Sequence, residues 1–278
     1  MTDHPGSHVR VRVDVVDGDT TTTRSDRVAT EEPMEIRLLA GAERRTIAVT
    51  MRTPGNDFEL AAGFLYSEGI VAAPDQIASI TYCVDRDVDE SQRFNIVNVA
   101  LSTGRLPDLR TLERNFYTSS ACGVCGKESL DALELRGGPA SNDVRVDADL
   151  IRELPDKLRA AQGLFEKTGG LHAAAVFDAT GGVIAAREDV GRHNAVDKVV
   201  GHALLDELLP LDGHLLMVSG RTSYEIMQKA LAAGIPIVCG VSAPSSLAVD
   251  LATRFNMTLV GFLRGDRFNI YAGAERVA

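Results

Sequence analysis

Tryptophan is absent from this chain, and aromatic residues make up only 5% of its 278 positions. Its core must therefore be built from Ala, Val, Leu and Ile. Cysteine is scarce: four residues are too few for a disulfide framework. No apolar run reaches the roughly 18 residues that a membrane-crossing helix needs. Met1 to Ser7 is polar and lacks the apolar stretch of a signal peptide. Positive charge is also short, with 29 Lys and Arg against 39 Asp and Glu, a net charge of −10. That excludes the broad basic footprint of a nucleic-acid or anionic-membrane binder. These absences lead us to expect a soluble protein of the reducing cytoplasm, with no nucleic-acid or membrane partner. What is present is ordinary for a globular chain: 45% hydrophobic and 24% charged residues. The length allows one large domain or two modest ones.

The pattern changes along the chain. Residues 1–8 read as a loose terminus. Val9, Val11, Val13 and Val15 alternate with polar residues, a period of two that predicts a strand. Gly18 to Ser25 reads as a turn-rich link. Glu35–Leu39 and Arg45–Met51 predict a strand pair. Asn56 or Asp57 then caps a helix to about Ser67, ended by Gly69. Ile77–Val84 and Phe94–Leu101 predict another strand pair, so the first hundred residues are mostly antiparallel β. Residues 102–117 look irregular, and Lys127–Leu135 reads as a helix. Asp147 is placed as a helix cap, and Pro155 as the start of a new helical segment that runs to Lys167 and stops at Gly169-Gly170. From His172 onward strands alternate with helices, which predicts an α/β layer with a largely parallel sheet. The helices are expected at His193–Leu209, Thr222–Ala233 and Ser245–Asn256. Lys198 and Lys229 fall on these helices and are expected to be solvated.

Two of the four cysteines stand together in Ser119-Ser120-Ala121-Cys122-Gly123-Val124-Cys125-Gly126-Lys127. Glycines on both sides of Cys125 leave the backbone free to take φ > 0. Two close thiols bind metal, exchange a disulfide or carry sulfur. Structural zinc needs four ligands, but Cys83 and Cys239 sit singly in apolar strand-like runs, as inert core thiols do. The histidines His172, His193, His202 and His214 are scattered. A thioredoxin-like site needs a buried strand before the pair, and residues 115–120 do not supply one. A zinc deaminase needs His-x-Glu and Pro-Cys-x-x-Cys, and neither occurs. The remaining reading is a reactive thiol on an accessible segment, where a Cys holds a persulfide reversibly.

Three loops of the α/β half form a second feature: Glu188–Asn194, Ser219–Ser223 and Ser242–Ser246. The last two place hydroxyls, and the first two an Arg, before a helix, where free N–H groups favour anions. His193, Ser219, Arg221, Ser242 and Ser245 are the candidate contacts. Any one loop alone reads equally well as a helix cap. Together, at the carboxyl ends of strands in an open sheet, they point to a phosphate-bearing ligand. A third feature is the turn Phe262-Leu263-Arg264-Gly265-Asp266-Arg267. It reads either as a charged hairpin tip or as a diphosphate clamp, because Arg forks match phosphate oxygens.

Taken together, these stretches resemble the FdhD family of formate dehydrogenase accessory sulfurtransferases. The resemblance rests on Glu31-Glu32-Pro33, Thr50–Gly55, Gly63–Gly69, Cys122–Gly126, Thr168–Ala174, the run Arg187–Lys198, Ser219-Gly220-Arg221 and Ser242–Ser246, and spans about 31–271. It implies that Cys122 carries a persulfide received from a cysteine desulfurase, with Cys125 as relay or resolving partner. The sulfur then passes to the molybdenum-bis(molybdopterin guanine dinucleotide) cofactor of formate dehydrogenase, bound as a substrate. Phe262 to Arg267 match the cofactor-binding segment proposed for the family. No resident metal is expected. The implied fold is α/β, α+β overall: a cytidine-deaminase-like α/β domain with a smaller strand-rich N-terminal subdomain, in a homodimer. The expected divisions are a poorly defined segment 1–30, a strand-rich subdomain 31–117, the cysteine loop and linker 118–147, and the α/β domain 148–278. The rival readings are a cofactor-binding chaperone and a redox switch in which Cys122 and Cys125 form a disulfide.

Overall fold

The computed structural model describes residues 6–107, 139–140 and 144–278. Cys122, Cys125 and the helix expected at Lys127–Leu135 lie outside the described residues.

The chain begins with a hairpin, β1 (His8–Asp17) and β2 (Thr20–Ala29), paired antiparallel over its whole length. This corrects the reading of Gly18–Ser25 as a link, and it gives regular structure to residues 8–29 of the segment expected to be poorly defined. Only Gly18-Asp19 turns, with Gly18 at φ +57. Thr20 to Thr23 is a β-branched run that favours a strand without any apolar alternation. Because almost all of β2 is exposed, no hydrophobic period marks it.

A four-stranded sheet follows, in the order β4-β3-β6-β5. It comprises β3 (Glu32–Ala40), β4 (Glu43–Arg52), β5 (Ile77–Tyr82) and β6 (Ile96–Leu101). The central pair β3–β6 is parallel and the other two pairs are antiparallel. Met34, Ile36 and Leu38 alternate inward on β3 and meet Val97 and Val99 on β6. Helix α1 (Asp57–Ser67) closes this core with Leu60, Ala61 and Leu65. Gly69, at φ +70, ends it where the sequence places its stop.

The second core is a six-stranded sheet in the order β12-β11-β10-β9-β7-β8. Its strands are β7 (His172–Asp178), β8 (Val183–Asp189), β9 (His214–Val218), β10 (Ile237–Gly240), β11 (Thr258–Arg264) and β12 (Arg267–Ala272). Only β9, β10 and β11 run parallel to one another. The sheet is mixed rather than largely parallel. The reason is local: β7–β8 and β11–β12 are joined by tight turns, and a hairpin is antiparallel by geometry.

Helices cover both faces of this sheet. On one face lies α2 (Ala148–Ala160), which buries Ile151, Leu154 and Leu158 against Ala173, Ala175 and Phe177. The Asp147 carboxylate caps it by accepting from the Asp149 N–H, as its sequence position implies. The helix runs through Pro155 instead of restarting there. The restart comes at α3 (Gly163–Thr168), which ends at Gly169. On the other face α4 (Arg192–Leu205), α5 (Tyr224–Ala232) and α6 (Ser246–Arg254) pack on Ala174, Val176, Leu216 and Val238. With both faces covered, these strands read as continuous apolar runs.

The two cores meet where α1 crosses α4, and glycines set the approach. A Cβ on Gly63 would overlap the Asp197 carbonyl, and one on Gly201 would overlap the Glu59 carbonyl. Only hydrogen fits at either position. Helix α4 thus lies between α1 and the six-stranded sheet, and ten of its fourteen residues are buried. Among the described residues no helix is long and apolar enough to cross a membrane.

Candidate functional site

The parallel strands β9, β10 and β11 end at Val218, Gly240 and Arg264, on one edge of the sheet. Strand β7 runs the other way, so its first residue, His172, reaches the same edge and pairs with Asp189 at the end of β8. The topology therefore gathers all three predicted loops and the 262–267 turn at one rim, together with the first turns of α4, α5 and α6.

The loops are tied to each other. The Thr222 N–H donates to the Ala243 carbonyl (3.3 Å) and the Ser245 N–H to the Thr222 carbonyl (3.0 Å). The Phe262 N–H donates to the Ser242 carbonyl (3.1 Å), and Arg264 Nε to the Val241 carbonyl (3.3 Å). Phe262 takes φ +52, a left-handed conformation that costs a Phe free energy, and its ring is exposed. It sits in a bulge where the β11–β12 ladder is interrupted between Gly261 and Arg264. Gly261 makes the bulge possible, since a Cβ there would lie 3.0 Å from Pro244 and Tyr271.

The predicted contact residues differ in what they present. Arg221, Arg264, Gly265, Asp266 and Arg267 are exposed at the rim, and Ser242 is half-buried there. Leu263 is buried in the core against the α2 side of the sheet. The Ser245 hydroxyl accepts from the Ala248 N–H and caps α6. The Ser219 hydroxyl accepts from the Ala173 N–H at 2.9 Å. His193 Nε2 meets the Ser223 hydroxyl at 3.0 Å, and its Nδ1 lies 3.3 Å from Glu225 Oε2. Burial pushes His193 down to about 4, with the Glu225 carboxylate pulling the other way. His172 is also lowered, by burial first and then by Arg192 and Arg221.

A cavity of about 520 Å³ opens between α2–α3 and the rim. Arg159, Gln162, Phe165, His172, Ser219 and Val241 are among its lining residues. The Arg159 guanidinium lies 4.2 Å from the Phe165 ring centroid, a cation–π contact that stiffens this wall.

Beneath the rim lies a buried polar layer that the sequence reading did not find. Asp189 is fully buried, and its carboxylate pairs with Lys198 at 2.7 Å. It also accepts from the N–H groups of Thr53 and Gly191 and from the Asn194 amide. Lys198 donates further to the carbonyls of Thr53 and Glu188. Asn194 donates to the Met51 carbonyl. Thr50–Gly55 and Arg187–Lys198, distant in sequence, thus form one clasp between the two cores.

Two further pairs brace this layer. Arg52 forks onto Asp57 and reaches Asn95 and the Phe94 carbonyl. Lys229 pairs with Asp197 at 2.9 Å, and Asp197 accepts from the Ser67 hydroxyl. Burial raises Asp197 to about 6 against the pull of Lys229, while Lys229 is raised against its own burial by the Asp197 and Glu225 carboxylates. Lys198 and Lys229 are therefore buried and paired, contrary to the solvated placement expected for them. Their helices are central ones, and the sequence period does not show what packs on the polar side. The charged residues of the Arg187–Lys198 run were visible as a signature; their bonding pattern was not.

Cys83 and Cys239 are buried, as expected from their apolar runs. Burial pushes the Cys239 thiol up to about 12, so it stays protonated and unreactive. Among the described residues no group of three His, Cys, Asp or Glu is arranged to hold a metal ion.

Comparison with known proteins agrees with this architecture. The model of the FdhD/NarQ family matches residues 29–278. A protein of Streptomyces coelicolor called "Sulfur carrier protein FdhD" is 55% identical over 260 residues, 92% of this chain and 90% of that one. The protein of the same name from Mycobacterium tuberculosis is 48% identical over 98% of both chains. A formate dehydrogenase accessory protein of Desulfotalea psychrophila, known from its crystal structure, superposes with a TM-score of 0.75. It is 25% identical, and the match covers 98% of this chain and 99% of that one. The match includes both cores and the clasp that joins them, and the chain belongs to the FdhD/NarQ family.

Proposed function

We propose that this protein carries sulfur for a formate dehydrogenase, with Cys122 as the persulfide site. The observation that carries this reading is the near full-length similarity to relatives named as sulfur carriers, 55% and 48% identical, that contain no large unmatched part. The thiol pair Cys122 and Cys125 is the group on this chain suited to holding sulfur reversibly. Formate dehydrogenase is the client, in keeping with the description of the structural relative. A cysteine desulfurase is the donor, and a reducing cytoplasm keeps both thiols free.

The chemistry balances within the pair. The outer sulfur of a Cys122 persulfide leaves as hydrosulfide when the Cys125 thiol attacks the Cys122 sulfur. The two electrons that reduce the outer sulfur come from the two cysteine sulfurs, which are left as a Cys122–Cys125 disulfide, and a cellular dithiol later reduces it. The acceptor is the molybdenum-bis(molybdopterin guanine dinucleotide) cofactor, bound as a substrate. Its diphosphates suit the exposed guanidinium groups of Arg221, Arg264 and Arg267 and the rim N–H groups. The exposed Phe262 ring offers a face for an aromatic base. Holding the acceptor at this rim would make sulfur transfer effectively intramolecular. The reading includes a cytidine-deaminase-like sheet, supported by an antiparallel edge hairpin beside three parallel strands, and a homodimer.

Intact-protein mass spectrometry after incubation with a cysteine desulfurase and cysteine tests the carrier. The expected result is a gain of one sulfur atom, reversed by reductant, retained in Cys125→Ala and lost in Cys122→Ala. Loss only in Cys125→Ala moves the site to Cys125. No gain in any form, with cofactor binding intact, replaces the carrier by a cofactor-binding chaperone.

A further inference from the structure

Ser223 stands at the head of α5, the usual place for a capping serine, yet its side chain makes no cap. Its hydroxyl turns instead to His193 Nε2, 3.0 Å away. The other ring nitrogen, Nδ1, lies 3.3 Å from Glu225 Oε2. A carboxylate only accepts, so we assign the proton to Nδ1, which faces it. In the neutral ring Nε2 then holds a lone pair, and the Ser223 hydroxyl donates to it. Burial, with Arg192 and Lys229, opposes a second proton on the ring, which keeps it neutral at pH 7.

These three side chains are held on rigid elements. His193 occupies the first turn of α4, whose next residue, Asn194, is bonded to Asp189 and Met51. Glu225 occupies the first turn of α5, one turn from Lys229, which is anchored on Asp197. Such support fixes the relative placement of a nucleophile and its base. The N–H groups of the first turn of α5 follow Ser223 directly and point out of the helix end. Donors so placed stabilise an oxyanion formed on a group attached to Ser223.

We propose that Ser223, His193 and Glu225 act as nucleophile, base and orienting carboxylate on small, activated carboxylic esters or thioesters, an activity distinct from the sulfur chemistry of Cys122. Ser223 Oγ attacks the carbonyl carbon while its proton passes to His193 Nε2. The bond from that carbon to the ester oxygen or thioester sulfur then breaks, and the alcohol or thiol departs with the proton returned from His193 Nε2. Water, deprotonated by the same nitrogen, then cleaves the acyl–Ser223 ester and restores the hydroxyl. No oxidant, reductant or metal enters.

A fluorophosphonate probe tests the assignment on the full chain with Cys122 and Cys125 changed to Ala, which removes competing thiols. Peptide mapping by mass spectrometry is expected to find one phosphonyl group on Ser223. Hydrolysis of p-nitrophenyl acetate is expected to fall about 100-fold in Ser223→Ala, and the labelling rate of Ser223 by a similar factor in His193→Asn. Absence of an adduct on Ser223 in the folded protein overturns the proposal. So does a labelling rate in His193→Asn equal to that of the parent. Should His193→Asn not fold, Glu225→Gln at a half-exposed position decides instead, with an expected loss of about tenfold and an unchanged rate as the refuting result. A structural role for the three residues would alter stability but give no adduct. Persulfide loading of Cys122 is read separately, so either assignment can fail alone.

Discussion

Adding one methyl group at Gly63 should force the two cores apart. In Gly63→Ala the new Cβ overlaps the Asp197 carbonyl oxygen and comes within 2.7 Å of both the Asp197 carbonyl carbon and the Gly201 nitrogen. Ordinary contacts are ~3.5 Å and the Asp197 carbonyl oxygen is the nearest obstacle, so α1 and α4 must separate by about 1.5 Å. The obstructing atoms are main chain on both helices, and no side chain can swing away. Separation strips contacts from Leu60 and Leu65 on α1 and from Leu204 on α4, which share one buried cluster. Overpacking of this kind costs roughly 1–3 kcal/mol and sometimes more, while Ala in place of Gly in a helix returns about 1 kcal/mol. With backbone on both sides the upper end applies, and we expect a net loss of about 2 kcal/mol. For a chain of this size that lowers Tm by roughly 4–8 °C. Thermal and urea melts followed by circular dichroism read it directly. Gly213, which has open space at its Cβ position, is the control and should shift by less than about 0.5 kcal/mol on change to Ala. Gly201→Ala should behave like Gly63→Ala, and the double variant should cost less than the sum, because one opening relieves both clashes. A Gly63→Ala protein as stable as the wild type, or more so, would refute the close-crossing argument.

Two other outcomes follow from the buried polar layer. Lys198→Met leaves the Asp189 carboxylate buried without its cation and should cost about 3–5 kcal/mol in urea unfolding. Pairing it with Asp189→Asn should recover part of that, and a single-variant loss below about 1 kcal/mol would show the clasp to be dispensable. His193 has a folded-state pKa near 4, below its ordinary 6.5, so the unfolded chain takes up that proton first. Its contribution is complete above pH 6.5 and is lost as pH falls toward 4, by up to about 3 kcal/mol. His172 acts in the same direction. Asp197, raised to about 6, acts in the opposite one, since the folded state binds its proton first as pH falls below 6. Melts at pH 7 and pH 5 should therefore show His193→Asn losing less stability on acidification than the wild type; equal losses would contradict the neutral, buried imidazole.

What the sequence determined by itself was local. A period-two run placed β1, Gly69 and Gly169 placed helix ends, and Asp147 placed a cap, because these signals depend on backbone geometry within a few residues. Burial of Cys83 and Cys239 was legible from the apolar runs around them. The gathering of the three loops at one rim was legible too, since strands alternating with helices bring such loops to one sheet edge. Strand direction was not, because β7–β8 and β11–β12 carry the same residue pattern whether they cross over or turn back. The hairpin strand β2 was invisible because it buries almost nothing. Tertiary structure alone decided the fate of the charges. Lys198 meets the Thr53 carbonyl across 145 positions of chain, and Asp197 meets the Ser67 hydroxyl across 130. Likewise His193 and Ser223 are 30 residues apart and share no local pattern. A helical period records which face is apolar, whereas the burial of a charge depends on what packs against the remaining face. That partner lies far away in sequence and becomes a neighbour only when α1 seats on α4.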